Sequence, residues 1–120
     1  MARVTHFEIS AENIQSAVEF YSNVFDWQIE KWDGPVDYWL IKTGEDSEPG
    51  IDGALMEKTE GFPPVVNTIE VDDLNHSIQK VLLNGGKQNG EINSIPNVGL
   101  FVYCTDREGN LFGMMQSERK

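Results

Sequence analysis

Hydrophobic positions recur in two different periods near the start of the chain. Between residues 3 and 9 apolar and polar side chains alternate, which predicts a strand whose less apolar face carries His6 and Glu8. The next stretch, ENIQSAVEFYSNVF, spaces its apolar residues three or four apart, which predicts an amphipathic helix with Asn13 as its N-cap. The stripe of that helix consists of Ile14, Ala17, Val18, Tyr21, Val24 and Phe25.

The same two periods return in the second half of the chain. A strand is predicted over Val65–Val71, and Asp73 would cap a second helix that ends at Asn84-Gly85-Gly86. Its stripe consists of Leu74, Ser77, Ile78, Val81 and Leu82. The remaining predicted strands are Gln28–Lys31, Tyr38–Thr43, Gly53–Met56, Lys87–Ile92, Gly99–Thr105 and Leu111–Gln116. The order of elements is therefore βαβββ, repeated once.

This repeated order predicts one α+β domain over residues 1–120, built from two βαβββ modules. Module 1 covers residues 1–57, the proline-containing segment 58–64 is a linker, and module 2 covers residues 65–120. A gap-free shift of 60 residues places Asn13 on Asp73 and Gly53 on Gly113, which indicates a duplication. We expect the modules to pair into a curved mixed sheet, a half-barrel with both helices outside and a concave inner face.

The charge of the chain narrows the choice of partners. There are 9 Lys and Arg residues against 20 Asp and Glu residues, a formal net charge of −11, which disfavours nucleic acids and anionic membrane surfaces. The sequence contains no run of 18 apolar residues, so no membrane span is predicted. The single cysteine, Cys104, excludes an internal disulfide and is typical of the reducing cytoplasm, where we expect this protein.

Several segments together resemble the vicinal oxygen chelate superfamily, which contains glyoxalases, extradiol dioxygenases and bleomycin-resistance proteins. The resemblance rests on AVEFYSNVFDWQIEKW, VVNTIEVDDLNHSIQKVLLNGGK and YCTDREGNLFGMMQ, extends over essentially the whole chain, and is strongest to small glyoxalase-like proteins of unassigned activity. It implies paired βαβββ modules and often a homodimer. It does not imply a reaction, because lyases, oxygenases, epimerases and plain binders share this scaffold.

The resemblance also implies where metal ligands would stand. His6 matches the first ligand position, whereas the second falls on Val66 and the glutamate of the last strand falls on Gly113. The remaining position falls within Gly53-Ala54-Leu55-Met56, none of which binds a hard or borderline cation well. Because a catalytic divalent metal site needs about three protein ligands, we predict no metal and no other cofactor. The alternative is an atypical site for Zn, Ni, Fe or Mn that recruits other carboxylates.

Other candidate residues follow from the predicted inner face. His6 and Glu8 share one side of the first strand and could act as an acid–base pair, or could simply be paired for structural reasons. Thr68, Glu70, Tyr103 and Trp39 are predicted to line the cavity. The facing of Gln116 and of Trp39 stays open at this point.

Two functions remain in competition. The first is a glyoxalase-like protein that binds a small organic molecule in the cavity without a metal. The second is a glyoxalase-like lyase or isomerase, or a dioxygenase, that uses His6 and Glu8 or an atypical metal site.

Overall fold

The structure of the protein, a computed structural model, describes residues 2–118. Within this range the chain forms two helices, α1 (Ile14–Phe25) and α2 (Leu74–Leu83). The strands of the same range are β1 (Arg3–Ala11), β2 (Gln28–Lys31), β3 (Trp39–Lys42), β4 (Asp52–Glu57), β5 (Val65–Glu70), β6 (Lys87–Gln88), β7 (Asn93–Ile95), β8 (Gly99–Thr105) and β9 (Leu111–Ser117). The predicted α+β class is confirmed.

The contacts divide the chain into two compact units. The first unit comprises His6–Val66, and the second comprises residues 2–5 and 67–118 of the described chain. Each unit contains one helix and its own set of hydrogen-bonded strands, and each is described by itself below.

In the first unit the strands lie in the order β2-β3-β4-β1. Strands β1 and β4 are parallel, and the other neighbouring pairs are antiparallel. Helix α1 begins where the Asn13 side chain accepts a hydrogen bond from the Ser16 backbone N–H at 3.0 Å. It ends at Asp26, whose left-handed backbone (φ 60°) lets its N–H reach the Ser22 carbonyl. An aromatic cluster accompanies the helix and consists of Phe7, Tyr21, Phe25 and Trp27.

In the second unit the order is β5-β9-β8-β6, with β7 also paired to β8. Helix α2 begins at its own cap, where Asp73 accepts from the His76 N–H at 3.1 Å. Leu74 and Ile78 of α2 are buried in the core of this unit. They pack against the sheet side chains Val102, Cys104 and Met114.

Both predicted helices and their caps are confirmed, and so are the strands that precede them. The strand predicted over Lys87–Ile92 is wrong in extent, because pairing with β8 stops at Gln88 and resumes as a separate strand, Asn93–Ile95. Gly90 lies between the two pieces with φ 104°, a backbone conformation that interrupts an extended ladder.

The predicted equivalence of Gly53 and Gly113 is wrong by one residue. Gly53 is the register partner of Phe7 on β1, whereas Gly113 is the partner of Thr68 on β5. A shift of 60 residues maps Phe7 to position 67, not 68. Because neighbouring positions of a strand point to opposite faces, the two glycines face opposite ways relative to their helices.

Candidate functional site

The first unit buries a carboxyl group on the side of its sheet opposite to α1. Glu8 is only 5% exposed. Its register partner on β4 is Ala54, and Ala54 is in turn the partner of Leu40 on β3. Paired residues of neighbouring strands share a face, so β1, β3 and β4 place these side chains together. We call this side of the first unit the Glu8 face.

Tyr38 supplies a hydrogen bond to this buried carboxyl group. It lies directly before β3, two residues from Leu40, and its hydroxyl donates to the Oε2 atom of Glu8. Burying a polar group is costly unless it is hydrogen-bonded. The bond therefore helps to explain how a glutamate is tolerated at this position.

His6 joins the same network on the other side of the Tyr38 hydroxyl. The Nε2 atom of His6 lies 3.1 Å from the hydroxyl oxygen of Tyr38, and the two rings are nearly parallel, with an interplanar angle of 18°. The hydroxyl has one proton and donates it to Glu8, so its oxygen accepts at the contact with His6. This assigns the proton of a neutral His6 to Nε2 and leaves Nδ1 as the nitrogen that can accept a hydrogen bond or a proton.

The surroundings of His6 favour this neutral form. Burial lowers the pKa of His6 below its ordinary value, and the Glu8 and Asp52 carboxylates oppose that effect. Asp52 is the register partner of His6 on β4 and accepts hydrogen bonds from the Thr43 backbone N–H and hydroxyl. The network is thus a hydrogen-bonded chain from His6 through Tyr38 to Glu8.

The structure brings His6 and Glu8 together through Tyr38, a residue that the sequence pattern does not predict at the site, and it places Trp39 on the opposite face. Trp39 is the register partner of Leu55 and shares its face with Ile41, on the side opposite to Glu8. Its ring lies 5.7 Å from the Nζ atom of Lys31. Trp39 therefore drops out of the candidate site. Leu40 and Ile41 are both apolar, so the local sequence gives no signal for which of Tyr38 and Trp39 faces the core.

The second unit has a comparable face on β5, β8 and β9. Thr68 and Glu70 are the register partners of Gly113 and Met115, and Tyr103 is the partner of Gly113 on β8. These side chains lie opposite to the α2 core of Val102, Cys104 and Met114, and we call this side the Thr68 face. Three of the four predicted cavity residues, Thr68, Glu70 and Tyr103, thus share one face of the second unit.

Gln116 lies on the helix side of the second unit. Its Oε1 atom accepts a hydrogen bond of 2.8 Å from the backbone N–H of Leu74, the first residue of α2. The first N–H groups of a helix have no partner within the helix. Gln116 therefore serves the start of α2 and is not part of the Thr68 face.

Two of the positions implied for metal ligands, Val66 and Gly113, carry no side-chain atom that could bind a divalent ion. Val66 is 1% exposed and has no donor atom. A Cβ atom added at Gly113 would lie 2.6 Å from Cζ of Phe101, so that ring fills the space of a longer side chain. Nε2 of His6 is already used by Tyr38. Among residues 2–118 no group of three or more His, Cys, Asp or Glu is arranged to hold a metal ion.

The comparisons with known proteins identify the family. The family model described as Glyoxalase/Bleomycin resistance protein/Dioxygenase superfamily matches residues 3–114, and the chain belongs to this superfamily. A glyoxylase-like domain-containing protein of Didymella fabae is 33% identical over 115 residues, which cover 90% of this chain and 88% of that protein.

Two less similar proteins also match most of this chain. The putative glyoxylase CFP32 of Mycobacterium bovis is 27% identical over 118 residues, 93% of this chain and 44% of that protein. A solved structure of methylmalonyl-CoA epimerase, in complex with methylmalonyl-CoA and NH4+, has a TM-score of 0.73 at 16% identity and covers 98% of this chain and 95% of its own. This likeness shows that the fold is shared.

None of the helices in the described part of the chain has the length and apolar character needed to span a membrane.

Proposed function

We propose that the protein binds a small organic molecule on the Glu8 face and does so without a metal ion. The observation that supports this proposal is the hydrogen-bonded chain of His6, Tyr38 and Glu8. A buried carboxyl group weakens a fold unless it is well bonded, so its presence beside a histidine and a tyrosine favours a role in recognition. The ligand is expected to carry an O–H or N–H group that donates to Nδ1 of His6.

The metal part of the proposal is tested on protein purified without a chelator. Elemental analysis is expected to find Zn, Ni, Fe and Mn far below one atom per chain, because the implied ligand positions are occupied by Val66, Gly113 and a histidine bonded to Tyr38. A stoichiometric metal that disappears in a His6→Gln variant would contradict it.

The binding part is tested by a ligand screen followed by paired variants. Small organic acids, alcohols and acyl thioesters, methylmalonyl-CoA among them, are screened by NMR against the wild-type protein. Tyr38→Phe and Glu8→Gln are expected to weaken a true ligand about tenfold or more, because each removes a hydrogen bond to a charged or polar group. Trp39→Phe is the matched control, since this neighbour of Tyr38 lies on the opposite face. Equal effects of Tyr38→Phe and Trp39→Phe would place the ligand elsewhere.

The second candidate is an enzyme that transfers a proton to or from a carbon next to a carbonyl group. The assignment of the His6 proton to Nε2 favours it, because Nδ1 of a neutral imidazole is a suitable general base. Ligands from the screen are incubated with the protein in D2O, and uptake of deuterium is followed by mass spectrometry. Uptake that is lost in His6→Gln or Glu8→Gln indicates the enzyme, whereas binding without uptake indicates the binder.

The homodimer implied by the resemblance remains a prediction. Phe20, Val24 and Phe25 on α1 are 53–56% exposed, and apolar residues clustered on a helix surface are compatible with an interface. Light scattering across a concentration series would measure the mass directly.

A further inference from the structure

The two units differ in how they satisfy a buried polar side chain at equivalent positions. Glu8 and Thr68 are 60 residues apart, and they are the buried polar side chains of residues 2–118. Glu8 accepts a hydrogen bond from Tyr38. Thr68 is only 2% exposed, and its Oγ1 atom has no hydrogen-bond partner in the described part of the chain. Such a hydroxyl destabilises a fold and calls for an explanation.

The space next to this hydroxyl is occupied by an aromatic ring. A Cβ atom added at Gly113 would lie 3.0 Å from Oγ1 of Thr68 and 2.6 Å from Cζ of Phe101. The hydroxyl and the ring therefore border the same space above Gly113, which exists because glycine has no side chain there. Phe101 in turn packs edge to face on Tyr103, with ring centroids 4.7 Å apart.

We infer that the Thr68 face binds an aromatic ring carrying a hydroxyl or carbonyl oxygen, with this oxygen hydrogen-bonded to Oγ1 of Thr68. The ligand ring takes the place over Gly113 that the Phe101 ring occupies, and Phe101 turns aside. The space fits a six-membered ring, because Phe101 already places one there, and Tyr103 offers an edge-to-face neighbour. The ligand supplies the hydrogen bond that phenylalanine cannot. This site rests on the second unit and does not depend on the proposal for His6, Tyr38 and Glu8.

The test compares phenol with toluene, two probes of similar shape that differ in the hydroxyl group. Dissociation constants are measured by NMR titration for the wild type, for Thr68→Val, which removes the hydroxyl at nearly constant shape, and for Thr68→Ser, which keeps it. The wild type and Thr68→Ser are expected to prefer phenol by about 3- to 10-fold, and Thr68→Val is expected to lose that preference. In Phe101→Leu both probes are expected to bind more tightly, because the competing ring is gone.

A second measurement needs no ligand. Thr68→Val is expected to raise the melting temperature by about 5 °C, because it removes a buried hydroxyl that has no partner. A lower melting temperature would show that the hydroxyl already has a partner, such as a bound water, and would overturn the proposal.

Two further results would also overturn it. One is equal binding of phenol and toluene by the wild type, or no binding of either probe by the wild type and by the Phe101→Leu variant. The other is a preference for phenol that survives in Thr68→Val. Should Thr68→Val fail to fold, the comparison of phenol with toluene in the wild type and in Phe101→Leu still decides the matter.

Discussion

The two units start from the same local signals and build different interiors. Their helices have equivalent caps, Asn13 and Asp73, each accepting from the backbone N–H three residues on. Yet α2 buries Leu74 and Ile78, whereas α1 has no fully buried residue and contributes Tyr21 and Phe25 to the aromatic cluster. The comparison teaches that cap and stripe determine where a helix forms, while the depth of its burial depends on the residues it meets.

The sharpest test of this difference is a matched pair of truncations at equivalent helix positions. Leu74→Ala is expected to lower the free energy of unfolding by about 3 kcal/mol, because Leu74 is 0% exposed and its loss leaves a cavity. Ile14→Ala, at the corresponding position of α1, is expected to cost about 1 kcal/mol, since Ile14 is only half-buried. Urea unfolding measures both values. Equal losses would mean that the two helices are anchored equally well.

The next largest difference concerns the two strand glycines. An added methyl group at Gly53 would lie 2.5 Å from the backbone carbonyl oxygen of Phe7, which cannot move away without disturbing β1. At Gly113 the nearest atoms belong to the side chains of Phe101 and Thr68, which can adjust. We therefore expect Gly53→Ala to cost about 2–3 kcal/mol and Gly113→Ala about 1 kcal/mol. The reverse order in thermal unfolding would argue against the observed registers.

The third prediction concerns the Glu8 face. Tyr38→Phe removes a hydrogen bond to a buried carboxyl group and is expected to cost about 2 kcal/mol of unfolding free energy. Tyr21→Phe is the control, because Tyr21 contributes ring stacking to the aromatic cluster and phenylalanine preserves it. A Tyr38→Phe variant as stable as the Tyr21→Phe variant would mean that the bond contributes nothing to folding.

The smallest effect is a dependence on pH that originates in the first unit. Because burial lowers the pKa of His6, the unfolded chain takes up a proton there below about pH 6.5 before the folded protein does. The free energy of unfolding should therefore fall as the pH drops from about 6.5 through the lowered pKa, and should gain nothing from His6 at higher pH. Urea unfolding from pH 8 to pH 5 would show a steeper fall in the wild type than in His6→Gln. Parallel curves would contradict this.

The helices and strands that local sequence patterns determine are predicted correctly from the sequence. Caps, apolar stripes and alternation were sufficient for both helices and most strands, because these signals act over a few residues. They also put His6 and Glu8 on one side of β1, as the registers show. The error at Gly113 depends on pairing between distant segments, because the register of β9 against β5 is set by packing across the sheet. The one-residue offset at Gly113 could not be read from a gap-free repeat.

Tyr38, the member of the candidate site that the sequence does not predict, also depends on pairing between distant strands. Tyr38 is adjacent to Trp39, and the sequence pattern predicts the larger ring as a cavity residue. The face of a short strand depends on its partner, and the pairing of Trp39 with Leu55 turns the tryptophan toward the helix side. The hydrogen bond between Tyr38 and Glu8 joins residues 30 positions apart, so no local sequence pattern predicts it.

The buried thiol of Cys104 makes the two interiors separately observable. It is the chain's one cysteine and lies in the core beneath α2, where burial raises its pKa and so suppresses the reactive thiolate. Alkylation by iodoacetamide must then wait until that core opens. The alkylation rate in native buffer therefore measures how often the second unit opens, while the fluorescence of Trp27, Trp32 and Trp39, which all lie in the first unit, reports on that unit. If the alkylation rate of Cys104 and the tryptophan fluorescence change at different urea concentrations, the two units unfold separately.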